Sequence, residues 1–266
     1  MHPLWQLRHT LLIVLLIGLL GRVAAVSQAV ATPPTATATT QQTTVARPLL
    51  WQIGSPPASH LFGTIHIADP RVTMLAEMVS IAFEASDEVR TEIPLDRQSL
   101  AEVALGVMLP GGQTLSEILP ADLLQRIDSF LQEQGLSLQP FMQMKPWVLA
   151  SMLSMLEAKE YLLETPLDQA LYERAVAEGK SVGGLETVEE QLSILDSLNH
   201  EEEAALLEET LEMLQKDTDY IDTLIQTYVA GDAEALLKMV TEFGDQGDPI
   251  VQKYGRLLVE NRNRIM

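Results

Sequence analysis

Cysteine is absent from the 266 residues. Disulfide scaffolds, thiolate zinc sites and cysteine nucleophiles are thereby excluded. The absence does not fix the compartment, because exported chains can also lack disulfides. Aromatic residues make up only 5% of the chain, against 47% hydrophobic residues and 11 methionines. That balance predicts a sizeable, helix-rich and pliable core. Positive charge is scarce as well, with 17 Lys and Arg against 37 Asp and Glu, for a formal net charge of -20. A surface this negative repels phosphate backbones, so no nucleic-acid partner is expected. It suits solubility, as a generic solvated acidic surface, or cationic partners or divalent metals.

Long apolar runs are confined to the start of the chain. Arg8 precedes an apolar stretch over residues 11–20, and small residues lead to Ala29-Val30-Ala31. A basic start, an apolar middle and an A-x-A end describe a secretory signal peptide over residues 1–31. The alternative is an uncleaved membrane anchor or tether through residues 11–30, interrupted by Arg22. Either way the protein is expected to be exported: periplasmic, extracellular or membrane-anchored. Residues 1–31 hold Arg8 and Arg22 and no acid, so the remainder carries -20 - 2 = -22. Residues 32–48, TPPTATATTQQTTVARP, have almost nothing to bury and read as a disordered Thr/Pro-rich linker.

The folded part is expected from Leu49. LLWQIG and HLFGTIHI flank SPPAS, a strand, turn and strand. The next segment has apolar residues at helical spacing: Met74, Leu75, Met78, Val79, Ala82 and Phe83. DEVRTEIPLD is a short strand candidate, and a parallel βαβ unit is expected from these pieces. Residues 97–180 read as mostly helical, and GKSVGGLE as a further short strand. A long helix begins near Val188 and breaks near Asn199-His200; others end at Gly231, cover DAEALLKMVTEF, and start at Asp248-Pro249. The fold class is therefore α/β (α+β) and helix-rich, a small central sheet with a helical insertion.

Three groups carry candidate chemistry. His66 stands at the expected C-terminal end of a strand, the edge where ligand sites gather in open α/β sheets. Imidazole there binds metal or acts as a base; the plainer alternative is a hydrogen-bonded histidine at a strand end. Gly63 permits a close approach by backbone or ligand. Asp69, ahead of Pro70, fits a helix cap. His60 is six residues away, about 20 Å along a strand, and is set aside. Glu92 lies in an apolar strand, where a carboxylate needs a metal or an ionic partner, an arginine being the rival. Glu186 closes the third core strand; it is either a site acid or a helix-start charge beside the Thr187/Glu190 capping box. Gln191, one turn in, could point back at the same cleft. Arg262 and Asn263 lie in a basic run of the last helix.

Taken together, LFGTIH after its hairpin, SDEVRTEI, GLETVEEQL and LLVENRNRIM resemble, in order, four blocks of the TraB/GumN family, which includes the Tiki proteins. The resemblance covers residues 49–266. It implies an exported or membrane-tethered protein with metal-dependent hydrolytic or peptidase activity, using manganese or cobalt as in Tiki proteins. Carried over, His66 and Glu92 are metal ligands, Glu92 and Glu186 catalytic acids or bases, and Gly63, Gln191, Arg262 and Asn263 supporting groups. The family pattern continues to a second G-x-x-H strand, so the domain is expected to be C-terminally incomplete at Met266. The expected function is an exported metal-dependent hydrolase of a peptide or related amide, acting on a peptide or small extracellular substrate and inactive if half its metal site is missing. The alternative is a non-catalytic protein that sequesters a peptide.

Overall fold

Two apolar runs joined by a turn make the first element of structure. In the computed structural model, Leu50–Ile53 (β1) and Ser59–Phe62 (β2) pair antiparallel, with Leu50 opposite Phe62 and Ile53 opposite Ser59. The structure describes residues 47–156, 164–215 and 220–245, together with Lys253. The expected strand over HLFGTIHI is cut short at Phe62. Gly63 closes the ladder through its N–H to the Leu49 carbonyl, 2.8 Å, and its own carbonyl accepts from the Tyr228 hydroxyl, 2.9 Å. Beyond it, Ile65 and Ile67 bury themselves as loop residues among Val72, Leu167, Leu224, Ile225 and Tyr228. An alternating strand would expose every second residue; here the four residues from Ile65 to Ala68 are all buried.

Asp69 caps Pro70–Thr73 (α1), accepting from the Arg71 N–H as the Asp-Pro pair predicts. The helical spacing over residues 74–83 does not give one helix. The chain breaks at Met74 and restarts as Glu77–Ala85 (α2), which buries Val79, Ala82 and Phe83 but leaves Met78 and Ile81 exposed.

Glu88–Thr91 (β3) pairs with Ser181–Gly184 (β4) in parallel, with Thr91 opposite Gly184. Parallel neighbours need a crossover, and the helical insertion supplies it. It runs through Arg97–Gly106 (α3), Leu115–Ile118 (α4), Ala121–Glu133 (α5), Pro146–Ser154 (α6) and Leu167–Ala177 (α7). The parallel βαβ unit expected from the first hairpin is not formed: among the described residues, β1–β2 and β3–β4 are separate two-stranded sheets. The fold class is helix-rich α+β.

The core gathers around α6, whose residues are buried on nearly every side. Leu123, Leu124, Ile127 and Leu131 bring one face of α5 to it, at i, i+4 and i+8 spacing. After β4 come Val188–Leu195 (α8), His200–Leu214 (α9), Tyr220–Ala230 (α10) and Ala233–Asp245 (α11). The predicted break between α8 and α9 is a cap: Asn199 Oδ1 accepts from the N–H groups of Glu201 and Glu202. No helix among the described residues is long and apolar enough to cross a membrane. The proposed signal or tether in residues 1–31, the helix at Asp248-Pro249, Arg262 and Asn263 lie outside the described residues.

Candidate metal centre

The register of the parallel pair places two acids at one edge. Glu92 follows β3 directly, and Glu186 lies two residues past β4. The Leu185 N–H donates to the Thr91 carbonyl and the Glu186 N–H to the Glu92 carbonyl, 2.9 Å each, so the two chains leave the sheet side by side. Helix α8 starts immediately afterwards. Thr187 and Glu190 form its capping box, which leaves Glu186 for another task. Its buried carboxylate accepts from Gln191 Nε2 at 3.0 Å. The same amide nitrogen lies 3.5 Å from Glu92 Oε2, at the outer limit of a hydrogen bond. One glutamine on the first turn of α8 thus spans both acids.

His66 reaches this edge from a loop and not from a strand end. Its place is set by α10. Tyr228 holds the Gly63 carbonyl, and Arg71 bridges Asp69 (2.7 Å) to Asp222 of α10 (2.8 Å). Gly63 has a packing reason: a Cβ there would sit 3.3 Å from Leu49 Cβ, so the close approach it permits is to Leu49. A Tyr228→Phe variant should lose about 1–2 kcal/mol, because the Gly63 carbonyl loses its buried donor. Urea unfolding with an unchanged slope and a lower midpoint would show it.

The buried imidazole has a carboxylate on each side. Nε2 lies 3.6 Å from Glu92 Oε2, and Nδ1 lies 2.8 Å from Asp168 Oδ1. The second contact is short but not aligned as a hydrogen bond, and it acts as an ion pair. Burial works against a charged ring, but Asp168 and Glu92 outweigh it and push His66 from 6.5 up to about 10. Charge concentration at this edge therefore calls for a cation, either the imidazolium or a metal ion.

The structure brings His66, Glu92, Glu186 and Gln191 together. His60 sits in the hairpin, opposite Gln52. Sequence reasoning missed Asp168. Its signal was present: on α7 it falls on the same helical face as Tyr172 and Ala175, all three buried. A carboxylate on a buried helix face needs a partner.

Imidazole and carboxylate donors fit a first-row divalent cation, the carboxylates suiting manganese and the imidazole zinc. His66 Nε2 and Glu92 supply two of the roughly three protein ligands that a hydrolytic site uses. Among the described residues, no group of three or more His, Asp or Glu side chains is arranged to hold a metal ion.

Residues 49–266 match the TraB/PrgY/gumN family. The chain is 30% identical to Metalloprotease TIKI2 of Danio rerio over 225 residues, covering 71% of this chain and 43% of that protein. Metalloprotease TIKI1 of the same fish is 30% identical over 189 residues, covering 61% of this chain and 38% of its own. Human Metalloprotease TIKI1 is 28% identical over 222 residues, covering 71% of this chain and 44% of its own. The chain spans less than half the length of these curated relatives. No solved structure matches it.

Proposed function

Because the chain belongs to the TraB/PrgY/gumN family, with relatives named as metalloproteases, we propose that the His66, Glu92 and Glu186 cluster serves an exported, metal-dependent hydrolase of peptides or related amides. The observation that carries this reading is the convergence of a buried imidazole and two acids, from distant segments, at one sheet edge.

His66 Nε2 and Glu92 would hold the ion, with manganese or cobalt the metals proposed. When bound, such an ion supplies Lewis acidity and a water of lowered pKa. Glu186, buried and steadied by Gln191, would take a proton at its carboxylate. Gln191 fixes the spacing of the two glutamates by donating to both. Strong negative charge favours a peptide with basic residues as substrate. Export rests on the apolar run over residues 11–20 and the A-x-A that follows.

The test uses the full chain, a library of short peptides and manganese chloride. Cleavage should require the metal and stop with chelator. His66→Ala should weaken manganese binding at least about 100-fold and remove turnover, since a donor nitrogen is lost. A His66→Ala protein that binds manganese and cleaves as the parent does would refute the assignment. The pairing of His66 with both Glu92 and Asp168, which needs no metal, favours a second reading, in which the cleft sequesters a peptide without turnover. Calorimetric peptide binding that is unchanged by chelator and yields no product would select it.

A further inference from the structure

We propose that Asp168 is a positioning residue, whose carboxylate engages His66 Nδ1 and so leaves Nε2 as the nitrogen that meets the cation. The inference rests on the metal-centre reading above and assigns a role to a residue outside it.

An imidazole has two nitrogens, and only one can face the acids at the sheet edge. In this protein the choice is made by geometry. Nδ1 is 2.8 Å from Asp168 Oδ1, whereas Nε2 looks toward Glu92 at 3.6 Å. The histidine and aspartate side chains are 6% and 12% exposed, so water competes weakly for either. Asp168 is itself firmly placed. It sits in the first turn of α7, next to Leu167, which is 2% exposed in the core cluster under the His66 loop. A neutral ring beside this carboxylate keeps its proton on Nδ1, which presents the Nε2 lone pair outward. Carboxylates in this relation to a ligating histidine fix the ring orientation and raise its donor strength. Asp168 is on the far side of the ring from Glu92, so it acts through His66 and not as a ligand to the same ion.

The test is a zinc titration of the full chain labelled with 15N at histidine, zinc being a diamagnetic probe. Long-range proton–nitrogen spectra assign which His66 nitrogen takes the metal and which keeps a proton. In the parent, zinc should shift Nε2 and leave Nδ1 protonated. Asp168→Asn, close in size, should weaken zinc binding about 10–100-fold and let the ring bind through either nitrogen. Asp168→Glu, which keeps the carboxylate, should recover part of the loss. Circular dichroism confirms that each variant is folded, and Asp168→Ala gives a second variant if Asp168→Asn is not. If zinc shifts Nε2 equally in parent and Asp168→Asn with affinities within twofold, the positioning role is overturned and the metal centre stands. Zinc on Nδ1 in the parent also overturns it. If zinc leaves His66 of the parent unaffected, the metal-centre reading itself fails and the inference falls with it.

Discussion

Metal-free protein is expected to lose on the order of 4 kcal/mol of folding stability as pH rises from about 6.5 to about 10. The source is His66. In the unfolded chain its ring titrates near 6.5; in the fold, against the opposing effect of burial, Asp168 and Glu92 push it up to about 10. The folded ring therefore holds its proton more tightly than the unfolded one. Below pH 6.5 both states are protonated, and the full ion-pair stabilisation is present. Above it the unfolded state sheds the proton first, and stability declines until the folded ring also deprotonates near 10. Other groups titrate in the same window, and the formal charge of -20 adds general repulsion. A His66→Gln variant carries all of those and lacks the ring. The measurement is urea unfolding of both proteins from pH 6 to 10. The parent's stability should fall more steeply than the variant's, and parallel curves would show that the imidazolium is not held as described. Added manganese should flatten the parent's curve, because metal and proton compete for Nε2 and metal binding releases the proton.

What could be read in the sequence was local. The Asp69-Pro70 cap, the Thr187/Glu190 capping box, the Asn199 break and the Gly231 stop all formed as predicted, since each needs only residues a few positions apart. The fold class and the helical insertion followed from the same periodicities. Long-range placement was harder. HLFGTIHI alternates like a strand, but helix α10, encoded more than 150 residues later, draws Ile65 and Ile67 into its own core and ends the strand at Phe62. Met78 has helical spacing yet faces out, because the break at Met74 resets the helix phase. Glu92 and Glu186 were legible as acids beside glycine-rich or apolar strands, and the parallel register of β3 and β4 then aligned them. Asp168 was not read because an acid in the first turn of a helix already has a sufficient local explanation in the helix dipole. Only its burial separates the two roles.

Replacing Trp147 with alanine should be among the most damaging single changes to the fold, about 3–5 kcal/mol. The side chain is 1% exposed and among the largest fully buried ones. It sits on α6, which has no solvent face into which the structure can relax. Its indole Nε1 also donates to Asp196 Oδ1 at 2.9 Å, while Lys145 Nζ meets Asp196 Oδ2 at 2.5 Å. Alanine therefore leaves both a cavity and a carboxylate stripped of one donor. For a domain of this size the melting temperature should drop by roughly 10 °C. Trp147→Phe separates the terms: it keeps most of the volume and loses only the N–H, at about 1–2 kcal/mol. Asp196 caps the C-terminal end of α8, whereas Gln191 and the glutamates it spans are at the N-terminal end, fixed by the Thr187 box and the β4 register. Well below its melting temperature, Trp147→Ala should thus keep manganese affinity within about threefold of the parent, because the two ends are held by separate contacts. A Trp147→Ala protein that stays folded but loses the metal altogether would mean that α8 moves as one rigid piece, and that the insertion governs the site directly.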